Sequence, residues 1–182
     1  LSLGEIDQIN KARYHDITEE SYLDIIGSKT ASLFVACIKM GGYSVNASDE
    51  DIERMCRFAQ LFGLCFQIRD DIFDYFEDSR IGKPTGNDLR EGKITLPLLH
   101  VLSIDTLPRH KEMNELVRKD ELSSEQIATL IAYAREFGGI DYAYDCMSRF
   151  RDEAVEIISH FPDTEIRRSF ISLFDFIIAR HN

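Results

Sequence analysis

Residues 67–78 read Gln-Ile-Arg-Asp-Asp-Ile-Phe-Asp-Tyr-Phe-Glu-Asp, and they place carboxylates inside an apolar run. From residue 58 to residue 76 nearly every helical position around them is apolar, which is typical of a helix buried on all sides. An acidic stripe lies on one face of this helix, at i, i+3, i+4 and i+7: Gln67, Asp70, Asp71 and Asp74. Buried carboxylates are unfavourable unless a cation meets them, so the stripe indicates a metal site.

The acidic stripe has two interpretations. Mg²⁺ prefers carboxylate and water oxygens and usually bridges one or two carboxylates to substrate phosphates, a role that suits Asp70 and Asp74, one helical turn apart. The alternative is a solvated face with i,i+4 charge pairs. Because like charges at this spacing repel and the helix is too apolar for a surface helix, metal binding is the favoured interpretation.

Three lysines are candidate partners for an anion. Lys83 and Lys93 follow glycines in the polar segment 77–93, where the backbone can approach a phosphate closely, although the segment lacks the GxxxxGK[ST] pattern of a P-loop. Lys29 precedes a mostly apolar helix. The alternatives are ordinary surface lysines and, for Lys29, a lysine that extends from a core helix to solvent. With the stripe, they suggest a metal-bridged diphosphate in a helical cavity.

The periodicity predicts one all-α domain over residues 1–182, with one long polar loop after the acidic stripe. Helices begin after the cap residues Thr18 and Ser48, and Ser123 with Gln126 forms a predicted capping box. The Gly41-Gly42 pair is a predicted helix end. The predicted helices cover approximately residues 2–13, 19–41, 49–76, 94–103, 109–119, 124–137, 140–160 and 163–180.

The charge, the apolar runs and the cysteine spacing exclude several classes of partner and location. The formal net charge of −11 disfavours nucleic acid as a partner, and no run of about 18 apolar residues could span a membrane. The four cysteines lack CxxC spacing, which favours reduced thiols and a cytoplasmic location. The histidines lack the spacing of a zinc site, so none is predicted. The chain begins with Leu1 rather than methionine, inside apparent helical sequence, so we expect it to be a piece of a longer protein.

Three segments together resemble one enzyme family. They are KTASLF at residues 29–34, FQIRDDIFDY at residues 66–75, and GKPTGNDLREGKITLP at residues 82–97. In order and spacing they are similar to the trans-polyprenyl diphosphate synthases, above all the bacterial octaprenyl-type members. The resemblance implies an isoprenoid-synthase helical bundle that makes a polyprenyl diphosphate, for quinone side chains, from isopentenyl diphosphate and an allylic diphosphate.

The same resemblance implies roles for single residues. Members of the family use Mg²⁺ and two aspartate-rich motifs, and the acidic stripe matches the second. By this match, Asp70 is a direct metal ligand, while Asp71 and Asp74 act partly through water. The diphosphate is held by lysines: Lys29, Lys83 and Lys93. Thr30 and Gln67 lie near the allylic C1–O bond.

The family's first aspartate-rich motif and its isopentenyl diphosphate residues are not found in residues 1–182. We therefore expect a bundle without its N-terminal helices, and no prenyltransferase activity from this chain alone. Family members are usually homodimers. Two alternatives stay open: a non-catalytic subunit of a heteromeric synthase, although its motif would be expected to erode, and a terpene cyclase of the same fold, although no late Asn-Ser/Thr-Glu metal motif is found.

Overall fold

The computed structural model describes residues 17–76, 85–119 and 121–179, and in these ranges the chain is helical without a strand. The predicted all-α class is confirmed, while the helix predicted over residues 2–13 lies outside the described residues. The helices are α1 (Glu19–Ile26), α2 (Ser32–Ser44), α3 (Asp49–Phe73), α4 (Asn87–Arg90), α5 (Leu96–Leu102), α6 (His110–Val117), α7 (Ser124–Glu136), α8 (Gly139–Ile158) and α9 (Glu165–Ile178). A π-helical turn, Gly27–Ala31, joins α1 to α2.

The helix starts follow the predicted caps. The Thr18 and Ser48 hydroxyls accept hydrogen bonds from the backbone N–H groups three residues later, at the starts of α1 and α3. Ser123 and Gln126 form the predicted capping box of α7. These bonds satisfy N–H groups that have no partner inside the helix.

One predicted helix end is wrong. α2 continues past the Gly41-Gly42 pair to Ser44, and the chain turns at Asn46, which has φ 52°. A Cβ atom on Gly42 would lie 2.6 Å from the Ile52 side chain, closer than atoms can approach. Gly42 therefore allows α2 to pack against α3 and does not terminate a helix.

α3 lies at the centre of the main hydrophobic core. Its buried side chains, including Phe58, Leu61 and Ile68, pack with residues of α1, α8 and α9. A second buried cluster joins α5, α6 and α7 and includes Leu98, Met113 and Leu130. The two clusters hold the carboxyl end of α3 against the residues that follow α4.

α3 is not buried on all sides, contrary to the expectation from its composition. Phe66 and Phe73 are 48% and 54% exposed on one face of the helix, which the described elements cover only in part, with Phe34 of α2 against the Phe66 ring. The predicted burial holds for the opposite face, where Cys65, Ile68 and Ile72 are enclosed. In the described part of the chain, no helix is long and apolar enough to cross a bilayer.

Candidate functional site

A cavity of about 80 Å³ opens between α1, the carboxyl end of α3 and residues 88–95. Its wall is half apolar, with Ile25, Ile26 and Ile94, and half polar. The polar side chains converge from three separate parts of the chain: Lys29, Gln67, Asp70, Asp71, Asp88 and Lys93. Folding therefore brings together five of the site residues predicted from sequence. Lys83 lies outside the described residues.

A chain of hydrogen bonds runs beside this cavity. The Thr30 hydroxyl donates to Gln67 Oε1 at 2.6 Å, and Gln67 Nε2 donates to Asp71 Oδ1 at 2.9 Å. From the other side, the Tyr22 hydroxyl donates to Asp71 Oδ2 at 2.6 Å. We call these four residues the hydrogen-bond chain. It ties α1 and the π-helical turn to α3 and connects Thr30 with Gln67, the two residues that the resemblance associates with the allylic C1–O bond.

Asp71 is the most enclosed carboxylate of the site, with 6% of its surface exposed. Burial raises its pKa to about 7, the hydrogen bonds from Tyr22 and Gln67 oppose this shift, and the charges of Asp88 and Asp70 add to it. A positive charge at the mouth of the cavity would favour the ionised carboxylate. Asp70, which is exposed, lies at that mouth.

Asp74 is engaged differently. Its two carboxylate oxygens accept the backbone N–H groups of Asn87 and Asp88, both at 3.0 Å, and its backbone carbonyl accepts from Gly86 N–H at 2.9 Å. Asp74 thus caps the first turn of α4 and fastens it to the end of α3. This attachment brings Asp88 to the cavity.

Two residues of the site were missed by sequence reasoning, Asp88 and Tyr22. Asp88 is partly buried, and its pKa is raised first by burial and then by the Asp74 carboxylate, while Lys93 opposes the shift. In the sequence, Asp88 is not at a helical spacing from the acidic stripe. Only its position in the GKPTGNDL segment could have indicated that it belongs to the site. Tyr22 reads in the sequence as an ordinary core aromatic residue.

The cationic side of the cavity comes from Lys29 and Lys93. Lys93 forms an ion pair with Glu91, with Nζ to Oε2 at 2.6 Å. The pKa of Glu91 is lowered, first by its hydrogen bond with Lys93, and the charge of Lys29 contributes. Both lysines line the cavity, and the charges of both lower the pKa of Glu91.

The site has the oxygen ligands that a hard divalent cation takes. Within residues 17–76, 85–119 and 121–179, no three acidic, histidine or cysteine side chains enclose a metal by themselves. Asp70 and Asp88 nevertheless line one cavity, and the pKa of Asp88 is raised first by burial and then by the nearby Asp74 and Asp70 carboxylates, so a cation there would be favourable. Mg²⁺ is usually held by one or two carboxylates with waters and phosphates, so these residues fit it.

Comparison with known proteins identifies the family. Residues 1–134 match the profile described as polyprenyl synthetase, which is well over half of the chain. The chain belongs to the polyprenyl synthetase family. The described helices have the fold of the solved polyprenyl synthases, since the geranylgeranyl pyrophosphate synthase of Bacteroides thetaiotaomicron superposes with a TM-score of 0.90 at 35% identity. That match covers 99% of this chain and 60% of the other.

Two further members of the family bear on the site. The octaprenyl diphosphate synthase of Escherichia coli is 30% identical over 99% of this chain and 56% of its own length. A polyprenyl synthase of Caulobacter crescentus, complexed with calcium and isoprenyl diphosphate, matches with a TM-score of 0.88 at 30% identity, covering 98% of this chain and 55% of that one. The chain thus spans about half the length of the relatives it matches.

Proposed function

We propose that this chain supplies the allylic-diphosphate side of a polyprenyl diphosphate synthase active site. The enzyme would join an allylic diphosphate to isopentenyl diphosphate head to tail, with Mg²⁺. The observation that carries the proposal is the convergence of Lys29, Lys93, Asp70 and Gln67 on one cavity, with Thr30 hydrogen-bonded to Gln67. Anion-binding groups, a carboxylate for a hard cation and oxygen acceptors are the groups that such a reaction needs.

Each group has a distinct part in the reaction. Lys29 and Lys93, with Lys83, bind the diphosphate and stabilise the charge that develops as it leaves. Asp70, with Asp88 beside it, would hold Mg²⁺, and bound Mg²⁺ neutralises charge on the leaving group. Asp71 and Asp74 would reach such an ion through water.

Thr30 and Gln67 lie beside these charged groups and direct oxygen atoms toward the developing allylic cation. The isoleucines of the cavity wall, Ile25, Ile26 and Ile94, keep water away from that cation. Isopentenyl diphosphate then attacks the cation, and the released diphosphate is a suitable base for the proton that is lost.

The finer features of the proposal come from the relatives and the resemblance. The octaprenyl synthase of Escherichia coli supports a long polyprenyl product, for quinone side chains. A homodimer remains our proposal for the assembly. A non-catalytic subunit is disfavoured because Lys29, Asp70 and Lys93 are retained and lie together.

An activity assay tests this function. The protein expressed from its complete reading frame should elongate farnesyl diphosphate with labelled isopentenyl diphosphate in Mg²⁺, whereas residues 1–182 alone should not. Asp70→Ala should lower kcat/KM about 100-fold, because it removes the proposed metal ligand. Glu53→Ala, an exposed carboxylate of the same helix, is the control. Activity of Asp70→Ala within about threefold of the unsubstituted enzyme would contradict the assignment.

A further inference from the structure

We propose that Tyr22 is a positioning residue for this reaction. Through Asp71 it fixes the direction of the hydrogen-bond chain, so that the Thr30 hydroxyl presents its lone pairs, and not its hydrogen, to the reacting carbon. This inference rests on the proposed function, and it concerns a residue that makes no direct contact with the proposed substrate.

The direction of donation along the hydrogen-bond chain follows from which hydrogens each side chain has. Tyr22 has one hydroxyl hydrogen, and it points to Asp71 Oδ2 at 2.6 Å. The ionised form of Asp71, which a cation at the mouth of the cavity favours, accepts and does not donate. Gln67 therefore turns its NH₂ end to Asp71 and its carbonyl end to Thr30. Thr30 then gives its only hydroxyl hydrogen to Gln67.

Because Tyr22 and Asp71 are buried, a water molecule could not easily replace the Tyr22 hydroxyl as a donor to Asp71. Tyr22 and Asp71 are 3% and 6% exposed, whereas Gln67 and Thr30 are half-buried, and Gln67 lines the cavity. Without the phenol hydroxyl, Asp71 Oδ2 would lose a partner inside the protein. The carboxylate could then rotate, and the Gln67 amide would no longer have one preferred orientation.

The backbone holds the two ends of the hydrogen-bond chain, Tyr22 and Thr30, close to α3. Tyr22 and Thr30 are on α1 and the π-helical turn, and both bind side chains of α3. A Cβ atom on Gly63 would lie 2.5 Å from Ala31 Cα, so the turn and α3 are in backbone contact one residue from Thr30. The hydrogen-bond chain therefore spans a close crossing of the π-helical turn over α3.

The consequence is specific to the transition state. An oxygen whose hydrogen is engaged elsewhere offers electron density to an allylic cation, while a hydroxyl hydrogen turned toward that cation would repel it. In the proposed function, lysine side chains hold the ground-state diphosphate, and the hydrogen-bond chain makes no contact with it. If the hydrogen-bond chain loses its fixed orientation of donors and acceptors, kcat should therefore fall and KM should stay unchanged.

Tyr22→Phe is the direct test, because it removes only the hydroxyl. In the complete enzyme we expect kcat to fall about 10- to 100-fold, with both KM values within about twofold. Tyr142→Phe is the matched control, since it removes a phenol that donates to the Glu19 carboxylate of the same α1 helix. A Tyr22→Phe enzyme with unchanged kcat, or with loss only in KM, would overturn the inference.

A double-mutant cycle separates positioning from a general structural effect. If Tyr22 acts through Thr30, the variant Tyr22→Phe/Thr30→Val should have the same kcat as Thr30→Val alone. If the fold-reductions in kcat of the two single variants multiply in the double variant, the inference is overturned. If the unsubstituted complete enzyme has no prenyl transfer activity, the proposed function fails, whereas an active enzyme that is indifferent to Tyr22 refutes only this inference.

A spectroscopic readout does not depend on turnover. The chain has four glutamines, so its ¹⁵N-glutamine spectrum can be assigned by substitution. The Gln67 side-chain NH₂ should be shifted and protected from exchange in the unsubstituted protein, and Tyr22→Phe, but not Tyr142→Phe, should move it. A Gln67 NH₂ that resembles solvent-exposed glutamines would overturn the inference, even if Tyr22→Phe fails to fold.

Discussion

At the scale of single residues, carboxylates of one short motif have different tasks. Asp70 is exposed at the mouth of the cavity and available to a cation. Asp71 is enclosed and accepts from the side chains of Tyr22 and Gln67. Asp74 accepts two backbone N–H groups and orders the residues that carry Asp88. Two of the three aspartates that the resemblance assigns to metal binding, Asp71 and Asp74, therefore also hold the structure of the site together by hydrogen bonds.

The role of Asp74 can be measured as stability. Asp74→Asn keeps the size of the side chain but can accept only one of the two N–H groups, so we expect a loss of about 1–3 kcal/mol in the free energy of unfolding. Urea denaturation at pH 7 checks this value. Asp88→Asn is the control, because it leaves both backbone bonds in place and removes a charge near Asp74. Equal stability of Asp74→Asn and the unsubstituted protein would contradict the capping role.

Sequence reasoning located the charged residues of the site better than their contacts. The helical spacing of the acidic stripe was sufficient to predict that Gln67, Asp70 and Asp71 share a face. It could not predict that Asp74 binds backbone 13 residues later, because that bond depends on how the chain returns after a loop. Tyr22 gave no signal, since a buried tyrosine and a core phenylalanine have the same pattern.

At the scale of elements, the decisive feature is the crossing of the π-helical turn over α3. Five residues, Gly27–Ala31, leave the α-helical hydrogen-bond pattern, and they include Lys29, which lines the cavity, and Thr30, which donates to Gln67. π-helical turns occur most often inside α-helices at functional sites. Gly63 allows the turn to approach, because a larger residue would collide with the Ala31 backbone.

The crossing predicts opposite effects for two helical glycines. Gly63→Ala should destabilise the protein by about 1–3 kcal/mol, because its methyl group would lie 2.5 Å from Ala31 Cα. Gly41→Ala should stabilise it by about 0.5–1 kcal/mol, because its methyl group meets no atom within 4 Å and alanine favours the helix. Chemical denaturation of both variants checks the pair. A Gly63→Ala protein as stable as Gly41→Ala would contradict the close crossing.

Caps made the helix starts predictable, whereas glycines misled the prediction of one helix end. Thr18, Ser48 and Ser123 act through bonds to residues three positions away, which a local pattern can show. Gly42 is required by Ile52 across a helix–helix contact, and no local pattern reveals that contact. The π-helical turn was missed for the same reason.

At the scale of the whole molecule, charge and shape are arranged around one cavity. The chain has a formal charge of −11, yet two lysines, Lys29 and Lys93, line this cavity together with Asp70. An anion would therefore enter with local cations and a bound metal, against the overall charge of the molecule. The site joins residues from α1, the π-helical turn, α3 and the segment after α4, so it exists only when the fold is complete.

The melting temperature in the presence of pyrophosphate and Mg²⁺ tests the central claim most directly. A ligand that binds the folded state at about 100 times its Kd adds about 2.7 kcal/mol, which should raise the Tm of the complete protein by about 5 °C or more. Pyrophosphate without Mg²⁺ should act much more weakly, and Lys29→Ala/Lys93→Ala should abolish the shift. An identical Tm with and without pyrophosphate and Mg²⁺ together would contradict a metal–diphosphate site in this cavity.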